Sequence, residues 1–138
     1  MELPYYKELR MIRFFLEESL PGFPRRCCYR TSRLVERVVP DLVQVAGDYV
    51  FHGWVVGDHG WNVDRKKGLI IDLTRDQFGS RLGGVSIFPF GVDYYKTRWS
   101  LTLLQRAITL LGFEEDVSLL RGYKDFRSRA FSRSAQAL

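Results

Sequence analysis

The chain has 138 residues, 46% of them hydrophobic and 14% aromatic, which is enough to bury the core of one domain and excludes a disordered chain. Its net charge of +5 is uneven, because residues 41–80 carry four Lys or Arg and six Asp or Glu, whereas residues 81–138 carry nine and five. No apolar run approaches the ~18 residues of a membrane span, and acidic residues interrupt the apolar stretch that a signal peptide would need. We therefore expect one domain over residues 1–138, in the cytoplasm and without membrane contact.

Two helices are predicted before the first strand. Residues 4–20 place apolar side chains at helical spacing until Pro21-Gly22 ends the pattern. Residues 24–39 form the second helix, with Pro24 in its first turn, where a missing N–H costs nothing. Both carry an apolar stripe, so we expect them to pack on a sheet.

The only two cysteines, Cys27 and Cys28, lie near the start of the second helix. Adjacent cysteines rarely bridge each other, and two are too few for a four-ligand zinc site, so we expect free thiols in a reducing compartment. Helix N–H dipoles favour a thiolate at this position. Cys27 falls near the middle of the apolar stripe and Cys28 toward its edge, so Cys28 is the predicted reactive thiol and Cys27 a buried one.

A small, mostly antiparallel sheet follows the two helices. Alternating or apolar runs predict four strands and a short fifth, at residues 42–47, 49–56, 59–63, 68–73 and 85–88. His52 is expected on a strand at the surface of this sheet. The Gly-rich and aromatic residues 79–98 are interpreted as a flexible cleft wall.

The C-terminal third is predicted to be helical and then loosely ordered. Residues 99–111 carry a strong apolar helical stripe, and a short helix over residues 114–120 has acidic residues in its first turn. From Arg121 the chain is basic and rich in small residues, so residues 121–138 are predicted to be a loosely ordered tail. The predicted fold class is α+β, with N-terminal helices packed on a small antiparallel sheet and C-terminal helices after it.

The stretch of residues 58–78 is predicted to be two strands joined by a charged turn. Closing a four-residue loop between Val63 and Gly68 places His59 opposite Asp72, on one face of the sheet. A carboxylate beside a histidine fixes the tautomer and orientation of the imidazole and stabilises its charged form. Asp72 is therefore the predicted partner of His59.

A cysteine on a helix, then a histidine opening a strand and an aspartate closing the next strand, resembles the core of the transglutaminase-like and papain-like cysteine-enzyme superfamily. The ending Asp-Leu-Thr-x-x-Gln-Phe is similar to that of small bacterial members, and the resemblance covers residues 24–78. It implies a papain-like core in which a helix bearing the cysteine packs on a sheet bearing the other two residues. The matching motifs are Cys28-x-x-x-Ser32, His59-Gly60-Trp61 and Ile71-Asp72-Leu73-Thr74.

The same resemblance implies a Cys28–His59–Asp72 triad that works on an amide through a thioester. His59 takes the thiol proton, the thiolate attacks the acyl carbon, and N–H groups at the helix start bind the oxyanion. Gln44 and Gln77 are candidates for a side-chain oxyanion donor. Water as acceptor gives a peptidase or a glutamine deamidase, and a lysine amine gives transglutaminase-type cross-linking. We expect hydrolysis of a peptide or protein substrate, with no cofactor and no metal.

Two other functions would use these residues differently. A metal on His52, His59 and Asp72 would match no known ligand spacing. A non-catalytic module of the same fold would bind an acidic partner, although nucleic acid is not expected because a solvated basic tail is commoner. Such a module would use the tail and four arginines near the second helix: Arg25, Arg26, Arg30 and Arg33.

Overall fold

The structure, a computed structural model, describes residues 3–79, 84–97, 107 and 114–136, apart from the side chains of residues 133–136. The helices are α1 (Tyr6–Ser19), α2 (Cys28–Val38) and α3 (Glu114–Gln136). The strands are β1 (Leu42–Phe51), β2 (Trp54–Asp64), β3 (Leu69–Asp72), β4 (Ser86–Pro89) and β5 (Tyr95–Thr97). A short 3₁₀ turn, Arg75–Phe78, follows β3.

The strands form one antiparallel sheet in the order β4-β3-β2-β1-β5. β1 and β2 are joined by His52 and Gly53, which have φ angles of 50° and 80°. Two-residue hairpin turns of this kind need positive φ at both central positions. His52 is therefore an exposed turn residue, and its predicted position on a strand is wrong.

The register of β2 on β3 differs from the predicted one by two residues. Val63 faces Ile70 rather than Gly68, and the loop consists of residues 65–68. Because side chains alternate between the two faces of a sheet, a shift of two residues leaves each of them on its predicted face. His59 and Asp72 therefore still share a face, as diagonal rather than directly opposed neighbours.

The main core lies between the sheet and the helices. It joins α1, α2 and α3 to one face of the sheet through a cluster of buried residues: Leu9, Ile12, Phe15, Leu16, Leu34, Val35, Leu42, Ile71, Leu73 and Tyr123. A smaller cluster covers the opposite face: Val45, Trp61, Val63 and Ile70. The alternation along β1 and β3 thus supplies both clusters, as a sheet buried on two faces requires.

α2 begins at Cys28, four residues later than predicted. Arg26 has a φ of 59°, in the left-handed region, which a right-handed helix starting at Pro24 could not pass through. Cys27 is the residue that caps the helix, and Cys28 is its first helical residue. The later start places the Cys28 sulfur at the end of the helix where unpaired N–H groups concentrate.

The C-terminal prediction is wrong, because one helix, α3, replaces both the short helix and the loosely ordered tail. Tyr123 is 1% exposed, and its hydroxyl donates to a Glu8 carboxylate oxygen at 2.5 Å. The ring of Phe126 packs on those of Phe14 and Phe15. These contacts dock α3 on α1, so the basic stretch is part of the domain at least as far as Phe126.

Two further predictions concern the region between β3 and α3. In their described part, residues 79–98 include two strands of the sheet, β4 and β5, rather than a flexible cleft wall. The helix predicted over residues 99–111 lies outside the described residues except for Ala107, which is helical. The observed class is α+β, as predicted, and no helix in the described ranges is long and apolar enough to cross a membrane.

We predict that removing residues 129–138 leaves the fold intact, whereas removing residues 123–138 destabilises it. The shorter truncation removes Phe131, which is 57% exposed, while the longer one also removes the Tyr123 and Phe126 contacts. The free energy of unfolding in urea should fall by less than about 1 kcal/mol in the first case and by about 3 kcal/mol or more in the second. Equal losses of unfolding free energy in the two truncations would show that the last turns of α3 are docked as firmly as Tyr123.

Candidate active site

His59 and Asp72 form a short hydrogen bond in the interior of the protein. The imidazole Nε2 lies 2.6 Å from Asp72 Oδ2, and the two residues are 0% and 1% exposed. The sequence-based pairing of these two residues is therefore present in the structure. With Nε2 bonded to the carboxylate, Nδ1 is the ring nitrogen left for other partners.

Both carboxylate oxygens of Asp72 accept hydrogen bonds. Oδ1 accepts from the Thr74 backbone N–H at 2.9 Å and from the Thr74 hydroxyl at 3.3 Å. Oδ2 accepts from the Tyr95 hydroxyl at 2.9 Å in addition to His59. A buried carboxylate with every lone pair engaged is stable as an anion, because hydrogen bonds replace the lost hydration.

An aromatic shell, formed by Tyr49, Trp61, Phe78 and Tyr95, encloses the imidazole. Their ring centroids lie 5.8, 5.8, 5.0 and 6.2 Å from that of His59. The Tyr49 and Phe78 rings also stack on each other at 4.3 Å. The shell excludes water from the His59–Asp72 pair and restricts the imidazole to one orientation.

Cys28 reaches the same imidazole from the start of α2. Cys28 is one of the groups that raise the pKa of His59, through a side-chain hydrogen bond and its charge. The approach depends on Gly60, since a Cβ at this position would lie 2.7 Å from Tyr29 Cδ1 and 3.1 Å from Ser32 Oγ. The first turn of α2 therefore packs directly against the β2 backbone beside His59. Of the three predicted residues, His59 and Asp72 are in direct contact, and Cys28 acts on the pKa of His59.

Polar contacts fix α2 on this part of the sheet. The Asn62 side-chain amide donates to the Ser32 carbonyl at 2.9 Å and to the Leu42 carbonyl at 3.0 Å. The Gln44 amide donates to Ser32 Oγ at 3.0 Å and to the Tyr29 carbonyl at 3.2 Å. Gln44 therefore holds α2 against β1, and its amide N–H groups serve that contact rather than the predicted oxyanion role.

Gln77, the other predicted oxyanion donor, lies beside the imidazole. Its side-chain amide nitrogen is 3.0 Å from His59 Nδ1. A side-chain amide offers both a donor and an acceptor, so Gln77 can hydrogen-bond to this nitrogen whether it is protonated or not. Its position on the 3₁₀ turn after Asp72 places an amide next to the reactive groups.

Cys27 has a different environment. Its thiol donates to the Arg25 carbonyl at 3.2 Å, and burial raises the pKa of the Cys27 thiol. Both features favour the neutral thiol. Cys27 is buried, as predicted, but Cys28 is buried as well, with exposed fractions of 8% and 6%, so burial does not distinguish the two sulfurs.

The protonation of the pair follows from two opposing effects. Burial lowers the pKa of His59, but the charge and hydrogen bond of Asp72, together with Cys28, raise it to about 9. Burial raises the pKa of Asp72, but the charge and hydrogen bond of His59 and the Thr74 and Tyr95 bonds bring it below its ordinary value. His59 is therefore charged at neutral pH and Asp72 is ionised.

Fewer observations support the two other predicted sites, the arginine surface and the metal site on His52, His59 and Asp72. Arg30 and Arg33 form ion pairs with Glu115 and Asp116 of α3 at 2.9 and 2.7 Å, so they hold the fold together. His52 lies at the hairpin turn between β1 and β2. Within the described ranges, no group of three or more His, Cys, Asp or Glu side chains is placed to hold a metal.

Comparisons with protein-family models, with curated proteins and with solved structures gave no match to this chain.

We predict that NMR titration will give His59 a pKa of about 9, against an ordinary value of 6.5. In Asp72→Asn the charge that raises the pKa is gone while the burial that lowers it stays, so the pKa should fall below its ordinary value. Because the folded-state pKa is raised, the pair stabilises the fold below about pH 6.5, and this contribution is lost as the pH rises through about 9. A His52→Gln spectrum assigns the resonances, and an unshifted His59 titration in the wild type would contradict the pairing.

We also predict that Gly60→Ala will separate Cys28 from His59. The added methyl group would lie 2.7 Å from Tyr29 Cδ1 and 3.1 Å from Ser32 Oγ, so we expect these side chains and the helix start that bears them to shift away from β2. The free energy of unfolding should fall by about 1–3 kcal/mol, as for other over-packed sites, and the His59 pKa should fall because the Cys28 contribution weakens. Gly57→Ala is the matched control on the same strand, because a Cβ there meets nothing within 4 Å. Similar losses of unfolding free energy in the two variants would mean that the close approach of α2 to β2 at Gly60 has no special role.

Proposed function

We propose that this chain is a thiol-dependent acyl-transfer enzyme that acts on an amide, with Cys28 as nucleophile, His59 as acid and base, and Asp72 as the residue that orients His59. The observation that carries the proposal is the buried 2.6 Å His59–Asp72 hydrogen bond, with Cys28 among the groups that raise the pKa of the same imidazole. A carboxylate behind a histidine that faces a nucleophile is the arrangement that acyl-transfer triads use. It fits the resemblance to the transglutaminase-like and papain-like superfamily.

The reaction follows from the protonation of the pair. A charged His59 beside Cys28 favours the thiolate, which attacks the acyl carbon and forms a tetrahedral oxyanion. N–H groups at the start of α2, including that of Cys28, and the Gln77 amide are the oxyanion donors. The C–N bond then breaks as His59 gives its proton to the leaving amine, and a thioester on Cys28 remains.

The second half of the reaction returns the enzyme to its starting state. The imidazole, now neutral, takes a proton from water as the water oxygen attacks the thioester carbon. Collapse of this intermediate breaks the C–S bond, releases a carboxylic acid, and restores the thiolate–imidazolium pair. A primary amine in place of water would form a new amide, which is the cross-linking alternative.

We propose hydrolysis of a peptide or protein amide, either in the backbone or in a glutamine side chain, because water is the acceptor that is always available. Both cysteines are free, which suits a reducing compartment such as the cytoplasm. Of the basic residues predicted to attract an acidic partner, Arg25, Arg26 and the outer residues of α3 are the candidates, because Arg30 and Arg33 are paired internally.

Iodoacetamide labelling tests the assignment of the nucleophile. At neutral pH, Cys28 should react at least about tenfold faster than Cys27, because only Cys28 adjoins a charged imidazole. His59→Gln should remove most of this difference, while His52→Gln, the matched change at an exposed turn, should leave it unchanged. Peptide mapping identifies the labelled residue. Faster labelling of Cys27, or an equal response to both histidine changes, would overturn the assignment.

A further inference from the structure

Among the partners of Asp72 in the described part of the chain, Tyr95 is the one that comes from a distant strand. Thr74 lies two residues beyond Asp72 and His59 lies on the neighbouring strand β2, but Tyr95 belongs to β5 at the far edge of the sheet. Two strands, β2 and β1, separate β5 from the strand of Asp72. The Tyr95 side chain therefore spans the sheet face to place its hydroxyl 2.9 Å from Asp72 Oδ2.

Ring packing sets the path of this side chain. The Tyr95 ring lies 5.0 Å from that of Trp61 and 6.2 Å from that of His59, measured between centroids. The rings of Tyr49 and Phe88 flank it at 5.6 and 6.1 Å. A ring held on several sides loses little further freedom when its hydroxyl makes a hydrogen bond, so the contact with Asp72 is pre-organised.

From this geometry, and resting on the proposed function, we propose that Tyr95 is a positioning residue of the triad: its hydroxyl fixes the Asp72 carboxylate so that Oδ2 presents one free lone pair to His59 Nε2. Oδ2 accepts two hydrogen bonds, at 2.6 Å from His59 and 2.9 Å from Tyr95. Thr74 anchors only the other oxygen. Without the tyrosine, the carboxylate could rotate about its bond to Cβ, and the imidazole would follow it away from Cys28.

The hydroxyl also shares the negative charge of Asp72. Burial raises the pKa of the Tyr95 phenol, and the charge and hydrogen bond of Asp72 raise it further. Tyr95 therefore keeps its proton and stays a hydrogen-bond donor at any working pH. A donor on Oδ2 reduces the negative charge that Asp72 presents to the imidazolium, while the Nε2–H proton stays on the bond to the carboxylate. His59 gives its other proton, on Nδ1, to the leaving amine, so removal of the donor should raise the His59 pKa and slow this step.

Other titratable or charged groups act on this network and stay unchanged in the test. They come from α2, β1 and the 3₁₀ turn: Cys28, Tyr49 and Arg75. Arg75 donates from Nε to the Tyr49 hydroxyl at 3.0 Å, and its guanidinium lies 4.8 Å from the Tyr94 ring centroid.

The test compares Tyr95→Phe with Tyr94→Phe. Each variant loses one oxygen atom from adjacent half-buried residues, and only the Tyr95 oxygen contacts the triad. NMR titration of His59 and exchange of its Nε2–H proton with water are measured, together with the rate of acyl transfer to Cys28 from an activated ester. We expect Tyr95→Phe to raise the His59 pKa by about half a unit, to speed Nε2–H exchange and to slow acyl transfer about 3- to 30-fold. Tyr94→Phe should match the wild type in all three.

The outcomes separate this inference from the proposed function. If the wild-type thiol does not accept an acyl group but Tyr95→Phe still changes the His59 titration and exchange, the enzyme assignment fails and the positioning role of Tyr95 stands. If Tyr95→Phe and Tyr94→Phe give the same His59 titration, Tyr95 acts only in packing and the inference is overturned. Should Tyr95→Phe not fold, the wild-type Tyr95 hydroxyl proton gives the answer, because a bond to Asp72 predicts slow exchange with water and fast exchange would contradict it.

Discussion

The arrangement of this protein depends on a buried imidazolium–carboxylate pair. Two charges taken out of water cost several kcal/mol each unless hydrogen bonds replace their hydration. Here His59 and Asp72 neutralise each other at 2.6 Å, and Thr74, Tyr95 and Gln77 supply the remaining partners. These partners come from the end of β3, from the 3₁₀ turn and from the far strand β5. The pair and its partners therefore connect β2, β3, the 3₁₀ turn and β5.

Contacts at Gly60 and hydrogen bonds from β1 and β2 place the start of α2 on the sheet. Gly60 leaves room for the Tyr29 and Ser32 side chains of α2, and Asn62 and Gln44 hydrogen-bond that helix in place. Cys28 is the first helical residue, so its sulfur lies at the end of α2 where unpaired N–H groups concentrate. The proposed nucleophile and the proposed oxyanion donors therefore belong to the same helix start.

The pairing of His59 with Asp72 was predictable from the sequence because it depends on one local hairpin. The observed register differs from the predicted one by two residues, yet a two-residue shift preserves the face, so the two side chains still meet. The start of α2 differs from the prediction because the left-handed φ of Arg26 leaves no mark in the apolar pattern. The hairpin pattern therefore predicted this pair better than periodicity predicted the element boundaries, and the addition of Cys28 to the pair depends on the resemblance.

Long-range features could not be predicted in this way. Tyr95 lies 23 residues from Asp72 and on a strand that pairs with β1, so no local pattern connects the two. The docking of α3 was missed because its apolar positions are spread among basic residues, and only contact with α1 shows that Tyr123 is buried. Both features depend on which elements meet in space, and sequence spacing does not report that.

The central claim is that Cys28 carries an acyl group during a reaction cycle, and formation of an acyl-enzyme tests it most directly. The protein is mixed with p-nitrophenyl acetate, nitrophenolate release is followed in the first seconds, and the acid-quenched chain is mapped by mass spectrometry. The account predicts a stoichiometric burst and an acetyl group on the Cys28 peptide, both absent in Cys28→Ser and retained in Cys27→Ser. Slow release without a burst, equal in the wild type and Cys28→Ser, would contradict it.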